Sequence, residues 1–319
     1  LTMFISSVVA NFEFDLKKII ALSTLSQIGL MLSTLALGEI ILTFFHLIMH
    51  ALFKALLFMC AGCLIYNLND CQDIRFMGSM MNFFPLTGSF LNICNLSLCG
   101  VPFLTGFYSK DLILEFLSMG YFSVYVYLIF YISIGLTVMY SIRLFYYLMI
   151  KDFQGLSYFF MLDSSLILLK GMGFLIYFVV IMGGIMSWLM FPTPYFICLP
   201  IFMKLIVLLL ILMGIFMGYL ISYTGLMDFS LMMILSKTMV FICSIFNINY
   251  LSVLGVNYNV LTYSGFLFYN GAQGWLEYNG SLNLYNFLNK FSIFFQKIFL
   301  SNFKIFLMIL IIWVFLLMF

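Results

Sequence analysis

Apolar runs long enough to cross a bilayer, separated by short polar turns, fill most of this chain. A helix needs about 20 mostly apolar residues to pass a hydrocarbon core of about 30 Å. After the polar turn Asn11 to Lys18, the pattern predicts a first complete span from Ile19 to Gly38, softened by Ser23, Thr24, Ser26, Gln27 and Ser33. A second runs from Ile41 to Tyr66 and carries His46, His50 and Lys54. Asn67 to Phe84 reads as an extramembrane connection. Leu86 to Leu117 resumes the apolar pattern but is interrupted by Gly100-Val101-Pro102 and by Gly106. Further spans are predicted from Tyr121 to about Leu148, from Leu166 to Met190 before the break Pro192-Thr193-Pro194, and from Lys204 to Tyr223.

Beyond Tyr223 the periodicity fades, so 224–265 is read as an irregular connection. From Phe266 the polar residues Asn279, Asn283, Asn286, Lys290 and Lys297 recur at helical spacing against Leu284, Phe287, Leu288, Phe291, Phe294 and Ile298. That is the signature of an amphipathic helix lying along a membrane surface. It is placed at 266–301, and 302–319 is read as a terminal span. The predicted fold is therefore all-α: a polytopic bundle of roughly seven spans with a discontinuous helix, a lateral amphipathic helix and a terminal anchor. Open sheets are excluded because an unpaired amide in lipid costs several kcal/mol.

Composition agrees, with 65% hydrophobic and only 8% charged residues among 319. The net charge of +2 supplies no basic field for nucleic acid; the partner implied is the lipid bilayer. The seven cysteines lie mostly inside apolar runs, and Cys60-x-x-Cys63 has no second ligand pair, so they are read as small buried hydrophobes. Trp188 and Trp275 fit interfacial anchoring. Arg143, Lys170 and Lys204 fall near predicted span ends, where snorkelling is the expected behaviour. Asp70, Asp73 and Arg75 are read as a solvated loop.

The candidate chemistry sits in the second span and at the break. His46, His50 and Lys54 are spaced i, i+4, i+8, so they drift by about 40° and rise about 6 Å per step on one helix face. Intramembrane lysine costs about 3 kcal/mol on insertion scales and faces a polar interior. Burial penalises the ammonium and a nearby carboxylate favours it, so such a lysine can be poised to gain and lose a proton. Histidine needs only a small shift to do the same. A metal site at His-x-x-x-His and plain structural packing are the competing readings; the rarity of intramembrane charge favours a proton relay. In the second constellation, Gly100 through Asp111, proline and glycine unwind an apolar helix immediately before Lys110 and Asp111. Discontinuous helices mark ion sites in transporters, whereas a plain kink with a snorkelling lysine is the alternative. Glu115, one turn on, either tunes Lys110 or caps a polar cavity.

The stretches Asp15 to Gly29, His46 to Gly62, Asn67 to Gly78 and Gly100 to Asp111 closely resemble, in this order, the chain-five family of mitochondrial NADH:ubiquinone oxidoreductase. The resemblance implies a core membrane subunit that carries part of a proton channel. Electron transfer from NADH to ubiquinone would be housed in partner subunits, along with FMN, iron–sulfur clusters and ubiquinone. It implies that Lys54 is the central channel lysine and that His46 and His50 connect to it. Lys110 would be the lysine of the broken helix, with Asp111 beside it. The amphipathic segment would brace neighbouring membrane-arm subunits in the mitochondrial inner membrane, and heavy use of Phe (40) and Met (24) suits an organellar gene. Leu1 to Ala10 reads as the end of a helix already in progress, and family members carry an input-side glutamate and lysine in an N-terminal half, so this chain is read as the C-terminal part. A stand-alone cation/proton antiporter of the same superfamily and a purely structural membrane subunit are the rival readings.

Overall fold

The computed structural model describes residues 1–120, 123–155, 162–163, 166–223, 240–242, 244 and 248–318, and among these the regular secondary structure is all helix, with one isolated antiparallel bridge between Asp15 and Asp73. Two compact units are separable, Leu1–Phe246 and Asn247–Phe319.

The first unit is a bundle of α1 (Thr2–Ala10), α2 (Leu16–Ala36), α3 (Ile40–Asn67), the single turn α4 (Met80–Phe83), α5 (Pro85–Cys99), α6 (Thr105–Met119), α7 (Val124–Ile150, its last turn wider than α-helical), α8 (Leu166–Met190) and α9 (Ile201–Tyr223). Five of these, α2, α3, α7, α8 and α9, are long and apolar enough to cross a membrane alone. The predicted broken span is divided into α5 and α6, 15 residues each, so neither half reaches across. Helix α3 is central and packs on α2, α5, α6 and α8, while α7 packs on α1, α5 and α9. This surrounds the polar face of α3 with neighbours, which is what a helix carrying ionisable groups requires in lipid.

The polar ends are tied down. The N-terminus of α5 begins with Pro85, which lacks an amide, and is capped from the α7–α8 connection. Asp163 Oδ2 accepts from Leu86 N at 3.1 Å, and Oδ1 accepts from Thr87 Oγ1 at 3.2 Å. A carboxylate at this positive helix end is favourable. The loop after α3 is stitched to the start of α2 by Leu16 N to Gln72 O at 2.9 Å and Ile74 N to Phe14 O at 3.0 Å. The Asp73–Arg75 pair there, at 3.5 Å and partly exposed, contributes under about 1 kcal/mol.

Arg143 departs from the expected snorkelling. It is buried, its Nη1 donates to Glu13 O at 2.7 Å, and its guanidinium lies 4.9 Å from the Phe14 ring, which Arg75 covers at 4.3 Å. Position near a span end was a one-dimensional signal; the α1–α2 turn folds over that end and encloses the side chain. Arg143→Met should therefore destabilise the fold by about 2–4 kcal/mol through loss of a charged hydrogen bond and cation–π contact. A lowered thermal midpoint of the purified protein checks this, and an unchanged midpoint contradicts it. Lys170 and Lys204, in contrast, are exposed near the starts of α8 and α9.

The second unit holds a long helix, α10 (Leu251–Leu300), and α11 (Phe303–Met318), bent by 114° at the break. Helical backbone already begins at Ile248–Tyr250, so the stretch from 248 to 265 is helix, where an irregular connection is predicted; 224–239 lies outside the described residues. Wider π-type turns at Leu251–Asn257, Leu267–Leu276 and Tyr278–Leu282 coincide with recurring glycine and asparagine. They shift the side-chain phase and hide the helical period. From Phe287 an i, i+4 ladder of rings runs Phe287, Phe291, Phe295, Phe299 with centroids 4.9–6.1 Å apart. It continues across the bend to Phe306 at 5.6 Å. Trp275 is exposed on this helix and Trp188 on α8.

Candidate functional site

The α3 ladder is buried as its spacing requires: His46 is 1% exposed, His50 9% and Lys54 4%. It meets a second polar stripe on α2, Ser23, Ser26 and Gln27, also buried. Lys54 Nζ donates to Ser23 Oγ and lies 3.5 Å from Ile20 O. One turn further along α2, Gln27 Oε1 accepts from His46 Nε2 at 3.3 Å, while His46 Nδ1 is 2.9 Å from Ser109 Oγ on α6. Ser109 is the neighbour of Lys110, whose Nζ donates to Thr137 Oγ1 on α7 at 2.9 Å, with Lys110 only 4% exposed. Among the described residues neither lysine has a carboxylate partner.

At the break that presents Ser109 and Lys110, the end of α5 is closed by its own backbone. Gly100 takes φ of +83° at the end of α5, and the amides of Gly100 and Val101 return to Ser97 O and Leu96 O, both at 3.2 Å. These crossed bonds satisfy carbonyls that a helix end would otherwise orphan in lipid. Pro102 removes a donor where the chain turns, Phe103 is held at φ +70°, and α6 restarts at Thr105. At Gly106 a Cβ would sit 1.7 Å from Ser97 O, so only glycine lets the two halves touch here. Against this elbow Lys110, Asp111, Gly100 and Cys99, together with Phe107, Leu114, Ile134, Val207 and Ile211, line a mainly apolar cavity of about 10 Å³.

Of the sequence-derived candidates, the structure joins His46 to the Ser109–Lys110 step through one hydrogen bond and joins Lys54 to α2. His50 lies between them with its ring 6.3 Å from that of His46, and its buried Nε2 has no hydrogen-bond partner among the described residues. Asp111 is half-buried at the cavity and makes no hydrogen bond with the ladder. Glu115 lies one turn beyond it, also half-buried. Ser109, Thr137 and the specific pairing of Ser23 and Gln27 with α3 were not evident in the sequence. Their signal is the run of hydroxyls Ser133, Thr137 and Ser141 at i, i+4, i+8 on α7, all buried, inside what otherwise reads as a plain apolar span.

The arrangement suits proton exchange. Neutral His46 with its proton on Nε2 donates to Gln27 and accepts from the Ser109 hydroxyl. When both ring nitrogens are protonated, Nδ1 donates to Ser109 Oγ, which can turn to Gly106 O at 3.4 Å. Both states keep their partners without moving a heavy atom. The described residues bring together no group of three metal-ligating side chains, and Cys60, Cys63, Cys94 and Cys99 are buried free thiols.

Residues 1–140 match the family described as NADH:quinone oxidoreductase/Mrp antiporter, transmembrane, and residues 140–319 match the family described as NADH dehydrogenase subunit 5 C-terminus. The chain belongs to the NADH dehydrogenase subunit 5 family. NADH-ubiquinone oxidoreductase chain 5 of Locusta migratoria is 46% identical over 318 residues, covering 99% of this chain and 55% of that protein. The Anopheles gambiae protein of the same name is 46% identical over 313 residues, covering 98% and 54%. The chain thus spans about half the length of these relatives. Among solved structures, the Mrp complex from Dietzia sp. aligns with a TM-score of 0.54 at 19% identity, covering 75% of this chain and 29% of that one. The archaeal membrane-bound sulfane sulfur reductase aligns at 0.59 and 21%, covering 90% and 54%. These two show a shared helical fold. Every ladder and elbow residue falls within the first matched segment, residues 1–140, and α10 and α11 fall within the second, residues 140–319.

Proposed function

We propose that this chain carries part of a proton-translocation path in the membrane arm of NADH:ubiquinone oxidoreductase, an inner-membrane complex of mitochondria. The observation that carries the reading is the pair of buried lysines, each held by a hydroxyl and neither neutralised by a carboxylate, with His46 hydrogen-bonded between their surroundings. In this reading His46, His50, Lys54 and Lys110 exchange protons in turn, Asp111 receives or supplies them at the half-exposed end, and water completes the gaps. A charge on one lysine raises the cost of charging the next in a medium of low dielectric, so loading and release alternate. Partner subunits hold NADH, FMN, the iron–sulfur clusters and ubiquinone and drive the cycle electrostatically. Helix α10 supports this assignment with an exposed apolar face, Phe287, Phe291 and Phe294 among it, available to neighbouring membrane-arm subunits.

The relatives named as chain 5 of the oxidoreductase, together with the subunit 5 match over residues 140–319, favour this reading over a stand-alone cation/proton antiporter. A purely structural role is separated from it by substitution. In the full-length protein within its complex, Lys110→Ala is expected to lower the protons moved per NADH oxidised while the complex still assembles. An unchanged ratio would overturn the proposal, and loss of assembly from deleting 266–319 alone would then favour the structural role.

A further inference from the structure

The polar stripe of α3 continues past His46. Thr43 and Glu39 precede it at i−3 and i−7, so Glu39, Thr43, His46, His50 and Lys54 share one helix face within about 80° of arc. Thr43 is buried, and its hydroxyl donates to Ile40 O at 2.7 Å. Glu39 ends the stripe at the start of α3 and is half-buried. The connection between α8 and α9, residues 191–200, lies over this end as a strap. Phe191, Tyr195, Ile197 and Leu199 are half-buried along it, whereas Phe196, Cys198 and Pro200 are exposed. Tyr195 Oη donates to Glu39 Oε2 at 3.0 Å. The Phe191 ring meets that of Phe45, the neighbour of His46, at 5.4 Å, and the Tyr195 ring meets those of Phe191 at 5.5 Å and of Phe116 on α6 at 6.3 Å. From 192 to 199 the strap makes no backbone-to-backbone hydrogen bond among the described residues. Side chains hold it down. Where Tyr195 touches Glu39 and Phe116, these two line, with Thr34, Leu37, Leu42, Ile113 and Leu117, a mainly apolar crevice too narrow for water.

We propose that Glu39 is the group through which the ladder exchanges protons with the aqueous surface at this end, and that the strap is the gate that admits water between them. The inference rests on the proton-path reading above. A path must end on a group that meets water, and of the five stripe residues only Glu39 is not buried. It is also the only ionisable side chain lining the crevice among the described residues. Glu39 lies about 10 Å along the helix axis from His46, beyond direct hydrogen-bond transfer. The closed crevice supplies no bridge. With the strap lifted, a file of water carries one proton from doubly protonated His46 to the Glu39 carboxylate, leaving a neutral imidazole and a neutral acid. The acid then gives that proton to the surface and returns to the carboxylate. Once the strap is down again, with the Tyr195 phenol donating to Glu39, the surface cannot reload the ladder from this side.

Glu39→Gln keeps the size of the side chain and an oxygen for Tyr195 but cannot hold the proton. In the full-length protein, assembled in its complex and reconstituted into vesicles, it should lower the protons moved per NADH oxidised as far as Lys54→Met does in the same preparation. Glu39→Asp, which keeps an ionisable group, should recover the loss. The gate is read by thiol labelling at Leu42→Cys, where the parent leucine is 2% exposed in the crevice. A water-soluble thiosulfonate should modify this cysteine several-fold faster during NADH oxidation than at rest, and as fast at rest once Tyr195→Phe removes the phenol–carboxylate bond. Ile113→Cys, in the α6 wall of the crevice, serves where Leu42→Cys does not assemble. Equal labelling in all these states would overturn the gate. A parental ratio in Glu39→Gln alongside a lowered one in Lys54→Met would overturn the role of Glu39 and leave the path standing. A parental ratio in Lys54→Met would overturn the path itself and this inference with it. Failure of Glu39→Gln to assemble would assign the carboxylate to folding and also overturn the inference.

Discussion

Gly106→Val in the full-length protein is expected to remove the assembled subunit from the membrane. The added Cβ alone would lie 1.7 Å from Ser97 O, where ordinary contact begins at 3.4 Å. The obstacle is a backbone carbonyl, which cannot swing aside as a side-chain tip can, so α5 and α6 must separate. Overpacking of this kind costs about 1–3 kcal/mol in a forgiving core, and here it also breaks the enclosed elbow that satisfies backbone groups at membrane depth, each worth several kcal/mol when orphaned. Where some protein does assemble, Ser109 and Lys110 are carried away from His46 and Thr137, and a displacement of about 1 Å in a positioned site costs about a hundredfold in rate. Gly62→Ala is the matched control. Nothing lies within 4 Å of its added methyl, and alanine in place of a helix glycine is favourable by about 1 kcal/mol. Immunoblots of membrane fractions compare the two, and Gly106→Val accumulating to the level of Gly62→Ala would contradict the account of the elbow.

Lys54→Met is expected to show the opposite separation, with assembly kept and translocation lost. The ammonium is buried against one hydroxyl and one carbonyl with no opposing carboxylate, and a lysine in mid-span costs about 3 kcal/mol. Methionine fills a similar volume without a charge, and replacing buried charge by a well-packed apolar group is commonly neutral or stabilising. The thermal midpoint of the complex should therefore hold or rise, while the protons this subunit contributes per NADH are lost. A fall in both quantities would mean that Lys54 is a structural residue.

The ladder and the elbow were legible in the sequence because each is written in local spacing. Positions i, i+4, i+8 fix His46, His50 and Lys54 to one face whatever surrounds them, and Gly100-Val101-Pro102 cannot continue an apolar helix. Their partners were not legible in the same way. Ser23, Gln27 and Thr137 acquire meaning only from the side chains that α3 and α6 bring to them, and a hydroxyl in a span bonds its own helix as readily as a neighbour. The burial of Arg143 is hidden from the sequence for a related reason: its distance from a span end says nothing about the turn at Glu13 and Phe14 that folds over it. The helix from 248 to 265 escaped because turns closing i to i+5 move apolar side chains off the 3.6-residue period that pattern reading looks for. Asp163 gave no sign of capping a helix 77 residues away in sequence.

The claim that Lys54, held by Ser23, and Lys110, held by Thr137, belong to one path that runs past His46 with water completing the gaps is tested most directly by proton stoichiometry in vesicles bearing the complex with Lys54→Met, Lys110→Met or both. Groups in series fail together, so all three variants should lose the same number of protons per NADH oxidised. Losses that add in the double variant, or a parental ratio in either single one, would contradict it.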